Sequence, residues 1–283
     1  MTDRRVSLLD VDPELGQLLD RARREQARRE LIVQLHELGP GPWHAERLRG
    51  TGPEHVGLLV IDGLLAREVA LADNVACELL GTGDLIRPWH GLDPAQLLRA
   101  EIRWTVLDAG RLAVLDRRFA AQLTRFPEIN AIVLDRLSER AQRLAVSQAI
   151  SQLNGVDRRL LALFWHLAER WGRVVPGGIA VTLPLPHRLI AELVGARRPT
   201  VSTSLGLLAE QGLLMREGET WLLPGEPVGL PTGEAARVIR ARRRRFDRSA
   251  PEGNPLEPDV AEPSANDASQ ERARGRQTAM NGS

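Results

Sequence analysis

Between Leu185 and Leu223 the chain reads LPHRLIAELVGARRPTVSTSLGLLAEQGLLMREGETWLL, and the spacing of its apolar residues permits few folds. Leu189, Ile190, Leu193 and Val194 recur at helical intervals over His187–Val194, and Gly195 breaks the run. Val201, Leu205 and Leu208 then recur at four- and three-residue steps over Arg198–Gln211. Two short helices joined by a tight glycine-containing turn make a helix-turn-helix. Pro199 falls in the first turn of the second helix, where its missing N–H costs little and its fixed φ suits the helix. Arg197 stands where a capping Ser would be usual, so no side-chain cap is expected there. After Gly212, the segment Leu213–Met215, the turn Arg216-Glu217-Gly218-Glu219 and the segment Thr220–Leu223 predict a small hairpin, the wing of such a unit.

The outward positions of the second helix are then Arg198, Thr200, Ser202, Thr203 and Ser204, one cationic fork among small hydroxyls. Such a surface suits a major groove. An Arg paired with guanine O6 and N7 is worth roughly 1–3 kcal/mol of discrimination, and hydroxyls reach phosphates or base edges. The expected DNA-contacting set is His187, Arg197, Arg198, Pro199, Thr200, Ser202 and Thr203, with Arg197 facing phosphate.

Upstream the pattern divides. Pro13–Leu38 predicts a charged amphipathic helix, stopped by Gly39-Pro40-Gly41-Pro42. From Trp43 to Leu115 short apolar runs alternate with turn residues: 55–59, 64–71, 75–80, 85–89, 101–107 and 112–115, with Asp62-Gly63 and Asp108-Ala109-Gly110 as turns. That spacing predicts an antiparallel β-rich sandwich or barrel. From Asp116 the period becomes helical, and a run free of Gly and Pro after Pro127 extends to Leu153, about seven turns. Ile129, Val133, Leu137, Ala141 and Leu144 form a stripe on it suited to a coiled-coil-like seam with a second copy. Val156–Trp171 reads as a core helix, with His166 a structural residue within it.

The fold class expected is α+β: an N-terminal antiparallel β-rich domain, which the resemblance given below makes a β-roll, a long dimerisation helix and a C-terminal winged helix-turn-helix. The expected boundaries are 1–39 for an N-terminal helical segment, 40–126 for the β-rich domain, 127–154 for the dimer helix, 155–228 for the winged domain and 229–283 for a disordered tail. The tail is poor in large apolar residues, carries the basic run Arg237–Arg248, suited to DNA phosphates, and is acidic between Glu252 and Glu271.

Composition narrows the chemistry. All 38 basic residues are Arg, which genome composition explains, and the formal net charge of +1 does not itself announce a polyanion partner. One cysteine, Cys77, rules out an intramolecular disulfide and a multi-cysteine zinc or iron–sulfur site within one chain. No phosphate loop, His-metal spacing or carboxylate pair in a cleft is visible, so no enzyme is expected. No run approaches the roughly 18 uncharged apolar residues of a membrane span, and no signal peptide opens the chain, which gives a cytoplasmic expectation with no membrane partner.

The segment Ile190-Ala191-Glu192-Leu193-Val194-Gly195 followed by Arg198-Pro199-Thr200-Val201-Ser202, with Leu205, Leu208, Gly212 and Leu213 in register, resembles the signature of the Crp/Fnr regulators. The order of parts resembles that family over most of residues 40–225, and Gly81-Thr82-Gly83-Asp84-Leu85-Ile86 is similar to the turn that leads to its effector pocket. The resemblance implies a cyclic-nucleotide-binding-like β-roll and a homodimer on double-stranded DNA. It also implies RNA polymerase as a candidate partner and a small-molecule effector held near Gly83, Asp84, Arg87 and Arg99. The stretch Arg87–Ala100 lacks the Gly-Glu pair that holds the ribose of cyclic AMP, and only Arg99-Ala100 imitates the phosphate-binding half. Cyclic AMP is therefore not the expected effector and no iron–sulfur cluster is expected, while the scattered His36, His44, His55 and His90 leave haem open as a lesser alternative. The cofactor is thus left unknown. The alternative function is a sensor or scaffold protein whose winged domain binds another protein.

Overall fold

The computed structural model describes residues 4–45, 48, 55–89, 97–98 and 100–225. The described residues belong to one compact unit. The predicted tail, with the Arg237–Arg248 run, lies outside the described residues.

The first segment departs from the expected long helix. It comprises β1 (Arg4–Ser7), α1 (Leu8–Val11), a 3-10 turn at Pro13–Gly16, α2 (Arg21–Glu30) and β2 (Ile32–Leu38). Asp20 restarts the helix by accepting the Arg23 N–H at 2.8 Å, a cap worth about 1 kcal/mol. Helical character belongs to the Arg- and Glu-rich residues of α2. Past Leu31, Val33 and Leu35 are buried in alternation, and β2 pairs with β1 on one side. A helical reading of 1–39 is thus corrected: Ile32–Leu38 is a strand of the β-roll, because period two and β-branched Ile32 and Val33 outweigh the charged run before them.

The roll is a seven-stranded antiparallel sheet among the described residues. Its further strands are β3 (Gly41–Trp43), β4 (Gly57–Leu71), β5 (Asn74–Gly81), β6 (Leu85–Ile86) and β7 (Glu101–Leu115). The order is β1-β2-β7-β4-β5, with β3 on β7 and β6 on β4. The expected turns at Asp62-Gly63 and Asp108-Ala109-Gly110 are not turns. Each lies inside a 15-residue strand, where β4 and β7 shift register against one another between Val60 and Leu65. A Cβ on Gly110 would lie 2.1 Å from the Asp62 carbonyl oxygen, and one on Gly63 would lie 2.7 Å from the Gly110 Cα. Gly63, at φ +93°, takes the left-handed conformation that this bulge requires. Glycines that look like hairpin punctuation here let two backbones cross.

Asp116 caps α3 (Arg117–Leu123) through the Phe119 N–H at 2.8 Å, and Pro127 opens α4 (Pro127–Ser151). After Gly155 comes α5 (Val156–Trp171), whose Leu160, Leu163, Phe164 and Leu167 are buried. β8 (Gly172–Val175) and β9 (Gly178–Thr182) follow, then α6 (His187–Val194), α7 (Arg198–Glu210), β10 (Met215–Glu217) and β11 (Thr220–Pro224). The predicted wing is the outer half of a four-stranded sheet, β10-β11-β9-β8. Trp221 on β11 stacks on Phe164 with ring centroids 4.5 Å apart, which locks the wing sheet to α5.

One apolar core runs from the roll into the winged unit: Leu64, Ala66 and Leu79 of β4 and β5 belong to the same cluster as Leu163, Leu189, Ile190 and Val201. A second core joins α1, β2, β7 and α3 to the start of α4, and it contains Ile129 and Val133. Those two seam residues are therefore buried within their own chain. The outward face of α4 carries Leu134, Leu137 and Leu144, 55%, 38% and 42% exposed, with Ala141 between them. The expected stripe is therefore not one face: Ile129 and Val133 lie on the side of the helix turned toward the roll, while Leu137, Ala141 and Leu144 share the outward side with Leu134. No described helix is long and apolar enough to cross a membrane.

Candidate nucleic-acid interface

The two helices of the winged unit form as their residues dictate. Gly195, at φ +62°, ends α6 in the left-handed conformation, and the Ala196 N–H bonds the Ala191 carbonyl. Arg159 of α5 reaches this corner and donates to the Gly195 carbonyl at 3.2 Å and the Leu153 carbonyl at 2.7 Å. The angle between the helices is thus fixed from below as well as by the glycine. Arg197 precedes α7 in an extended conformation with no side-chain cap. The first N–H groups of α7 are left without a side-chain cap, the arrangement in which a helix N-terminus attracts phosphate.

Val201, Leu205 and Leu208 are buried, while Arg197, Arg198, Pro199, Thr200, Ser202 and Thr203 are exposed together at the start of α7. Ser204, read from the sequence as outward, is buried at 9% exposure, because the helix turns it under with Val201 and Leu208. His187 sits at the edge of this face, with Nδ1 2.9 Å from Ser202 Oγ, and Ser202 in turn donates to the Arg198 carbonyl at 3.1 Å. Burial holds the His187 imidazole below its ordinary pKa, with Arg216 and Arg198 adding to the effect. The neutral ring is thereby favoured, and it orients the Ser202 hydroxyl. On the wing, Arg216 lies over Trp221 at 4.7 Å and donates to the Gly218 carbonyl at 2.8 Å. The face therefore gathers cations and hydroxyls from α6, α7 and β10.

The residues expected to hold an effector do not converge. Asp84 is 3% exposed and turned inward: its carboxylate takes Arg143 of α4 at 2.5 Å and Arg170 of α5 at 2.7 Å, and accepts the Gly81 N–H at 2.9 Å. Arg170 also donates to the Thr82 carbonyl at 2.7 Å. Gly83 and Asp84 line a cleft of about 470 Å3 with Arg136, Arg143, His166 and Arg170. Arg87 faces elsewhere, donating to the His55 carbonyl at 3.2 Å beside Trp89. Arg99 lies outside the described residues. The turn that resembled an effector motif works here as a joint between the roll and two helices, because its one carboxylate is the partner of two guanidinium groups. Sequence reasoning missed this joint. It also missed Glu68 of β4, which Arg188 of α6 meets at 2.6 Å. The available signal was parity: Glu68 follows Leu64 and Ala66 on the inward face of its strand.

Residues 158–224 match the profile of the Crp-like helix-turn-helix domain. The chain is 27% identical over 145 residues to the CRP-like cAMP-activated global transcriptional regulator of Mycobacterium tuberculosis. That match covers 51% of this chain and spans 64% of the length of the relative. A global nitrogen regulator of Synechococcus elongatus is 32% identical over 88 residues, 31% of this chain and 40% of that protein. Two solved structures share the fold. One is a cyclic nucleotide-binding domain containing protein of Listeria monocytogenes, with TM-score 0.56, 14% identity and coverage of 75% of this chain and 96% of the other. The second is a CooA mutant from Carboxydothermus hydrogenoformans, with TM-score 0.54, 19% identity and coverage of 79% and 93%.

Proposed function

Because residues 158–224 match the Crp-like helix-turn-helix domain and the chain is similar to a CRP-like regulator, we propose that it is a transcription regulator of the Crp/Fnr type that binds double-stranded DNA as a homodimer. In this reading one α7 of each copy enters one of two successive major grooves, about 34 Å apart. The observation that carries the reading is the exposed face at the start of α7, where Arg197, Arg198, Thr200, Ser202 and Thr203 lie at the surface above a buried apolar side. Arg198 reads a base edge, and Arg197 and the uncapped N–H groups hold phosphate. The seam is Leu134, Leu137, Ala141 and Leu144, spaced by three, four and three residues on the outward side of α4. The effector is a small molecule other than cyclic AMP, or none, which the missing Gly-Glu pair in Arg87–Ala100 supports.

Selection of duplexes from a random library tests the reading and should enrich an inverted repeat. Arg198→Ala should then lose about 10- to 100-fold of specific affinity, the worth of one bidentate base contact, while its mass in solution remains that of a dimer. Leu137→Glu with Leu144→Glu should give a monomer. Adding cyclic AMP should leave affinity unchanged. Equal binding by the Arg198 variant and the parent would refute the assignment of α7 as the reading helix.

A further inference from the structure

Where α6 meets the β-roll, too few hydrogen-bond donors serve too many carboxylate oxygens. Glu68 on β4 has a side chain only 5% exposed, and Glu192 on α6 is 14% exposed. A single nitrogen of Arg188, Nη1, lies 2.6 Å from Glu68 Oε1 and 2.5 Å from Glu192 Oε1. Arg103 of β7 reaches Glu68 Oε2 only at 3.8 Å, from a side chain that is 56% exposed. Glu192 Oε2 is buried, and no N–H or hydroxyl donor among the described residues reaches it. Among the described residues, the neighbouring polar groups are engaged elsewhere. Glu78 of β5 is held by Arg140 of α4 at 2.7 Å and 2.8 Å, and the Cys77 thiol is turned to the Glu78 carbonyl at 3.7 Å. A buried carboxylate oxygen without a donor is costly, and two buried carboxylates side by side repel. One proton removes both penalties, since an O–H on Glu192 can donate to Glu68.

We propose that the Glu68–Glu192 pair is a proton-binding site that clamps the winged unit to the β-roll, so that the docked arrangement holds in mild acid and loosens as the solution becomes alkaline. The clamp sits at the rim of the shared apolar core, where Leu64, Ala66 and Leu79 of the roll pack with α5 and α6. It therefore acts on a contact already made by apolar burial, which lets a modest electrostatic change shift the balance.

The chemistry of the pair agrees. Burial pushes the Glu192 carboxyl up to about 7, with the hydrogen bond to Glu68 adding to the rise and Arg188 opposing it. Burial also pushes Glu68 upward, but the hydrogen bonds from Arg188 and Glu192 and the charges of Arg188 and Arg103 outweigh it and leave that carboxyl below its ordinary range. The proton therefore resides on Glu192. Its pKa is raised on docking, so its contribution is fully present below about 4.5, the ordinary value, and is lost as pH rises through about 7. Glu68 acts in the opposite sense and loses its contribution in stronger acid.

The experiment reads docking without DNA, so it stands apart from the DNA-binding proposal. The full chain, in a Cys77→Ala background, carries spin labels at Asp73→Cys and Gly206→Cys, both exposed, with open space beside Gly206. Distances are measured by double electron-electron resonance at about pH 5.5 and about pH 8.5. One narrow, short distance is expected in mild acid. In alkali a second, longer population should appear, with the ratio of docked to released molecules falling on the order of tenfold. Glu192→Gln carries a permanent N–H donor in place of the proton and should keep the short distance at both values. An unchanged distribution in the parent, or a Glu192→Gln variant that responds to pH as the parent does, would overturn the proposal.

Discussion

Replacing Asp84 by Ala should destabilise the protein more than removal of any exposed ion pair, and the structure sets the size of the effect. The Asp84 side chain is 2% exposed and serves Arg143 and Arg170, whose side chains are 28% and 20% exposed. Burial holds the Arg143 guanidinium below its ordinary pKa; Asp84 opposes that, and the charge of Arg170 deepens it. Without the carboxylate, two partly buried cations face each other and the Gly81 N–H loses its acceptor. Breaking a buried charge pair from one side costs about 3–5 kcal/mol. In a folded unit of this size each kcal/mol moves the melting temperature by about 2–4 °C, so the shift should be on the order of 10 °C. Asp62→Ala is the control. It removes an ion pair to Arg111 in which both side chains are about 40% exposed, worth less than about 1 kcal/mol. Thermal unfolding followed by circular dichroism measures both variants. Equal melting temperatures for the two would refute the view that Asp84 joins the roll to α4 and α5.

Gly110→Ala should cost about 3 kcal/mol or more, because its Cβ would sit 2.1 Å from a backbone oxygen that cannot move alone. Gly206→Ala, mid-helix with open space around it, should instead gain about 0.5–1 kcal/mol. Denaturant titration of the two variants checks the pair, and a neutral Gly110→Ala would refute the crossing. Cys77 should resist alkylation by a maleimide at about pH 6.5, where the winged unit is docked, and react freely once the protein is unfolded. Burial pushes its thiol far above the ordinary range, and Glu192, Glu68 and Glu78 add to the rise. Equal rates of modification in the native and unfolded protein would contradict this.

The helix-turn-helix was legible because its determinants are local: apolar steps of three and four, one left-handed glycine, and a proline placed where helices begin. α6 begins and ends at the residues the pattern gives, and α7 begins at Arg198. β2 was hidden because an Arg-rich helix ran into a strand with no Gly or Pro between them. Glycine misled in the roll, since a hairpin turn and a close crossing of strands ask for the same residue. β8 and β9 were missed beside a strong helical pattern, in a segment too short to show alternation. The ties from Asp84 and Glu68 join residues distant in sequence, so no local pattern announces their partners. The α4 stripe was half legible: periodicity shows that a helix has an apolar face, but Ile129 and Val133 belong to a second face that only the neighbouring roll defines.

The crossing of β4 and β7 has a consequence for how such a chain can change over generations. Each of Gly63 and Gly110 occupies the space the other's side chain would need. Neither position offers a tolerated first step, and a double change only makes the collision worse. A side chain at either position would therefore force the two backbones apart, and the two glycines serve as a fixed datum for the pairing of the roll's two longest strands.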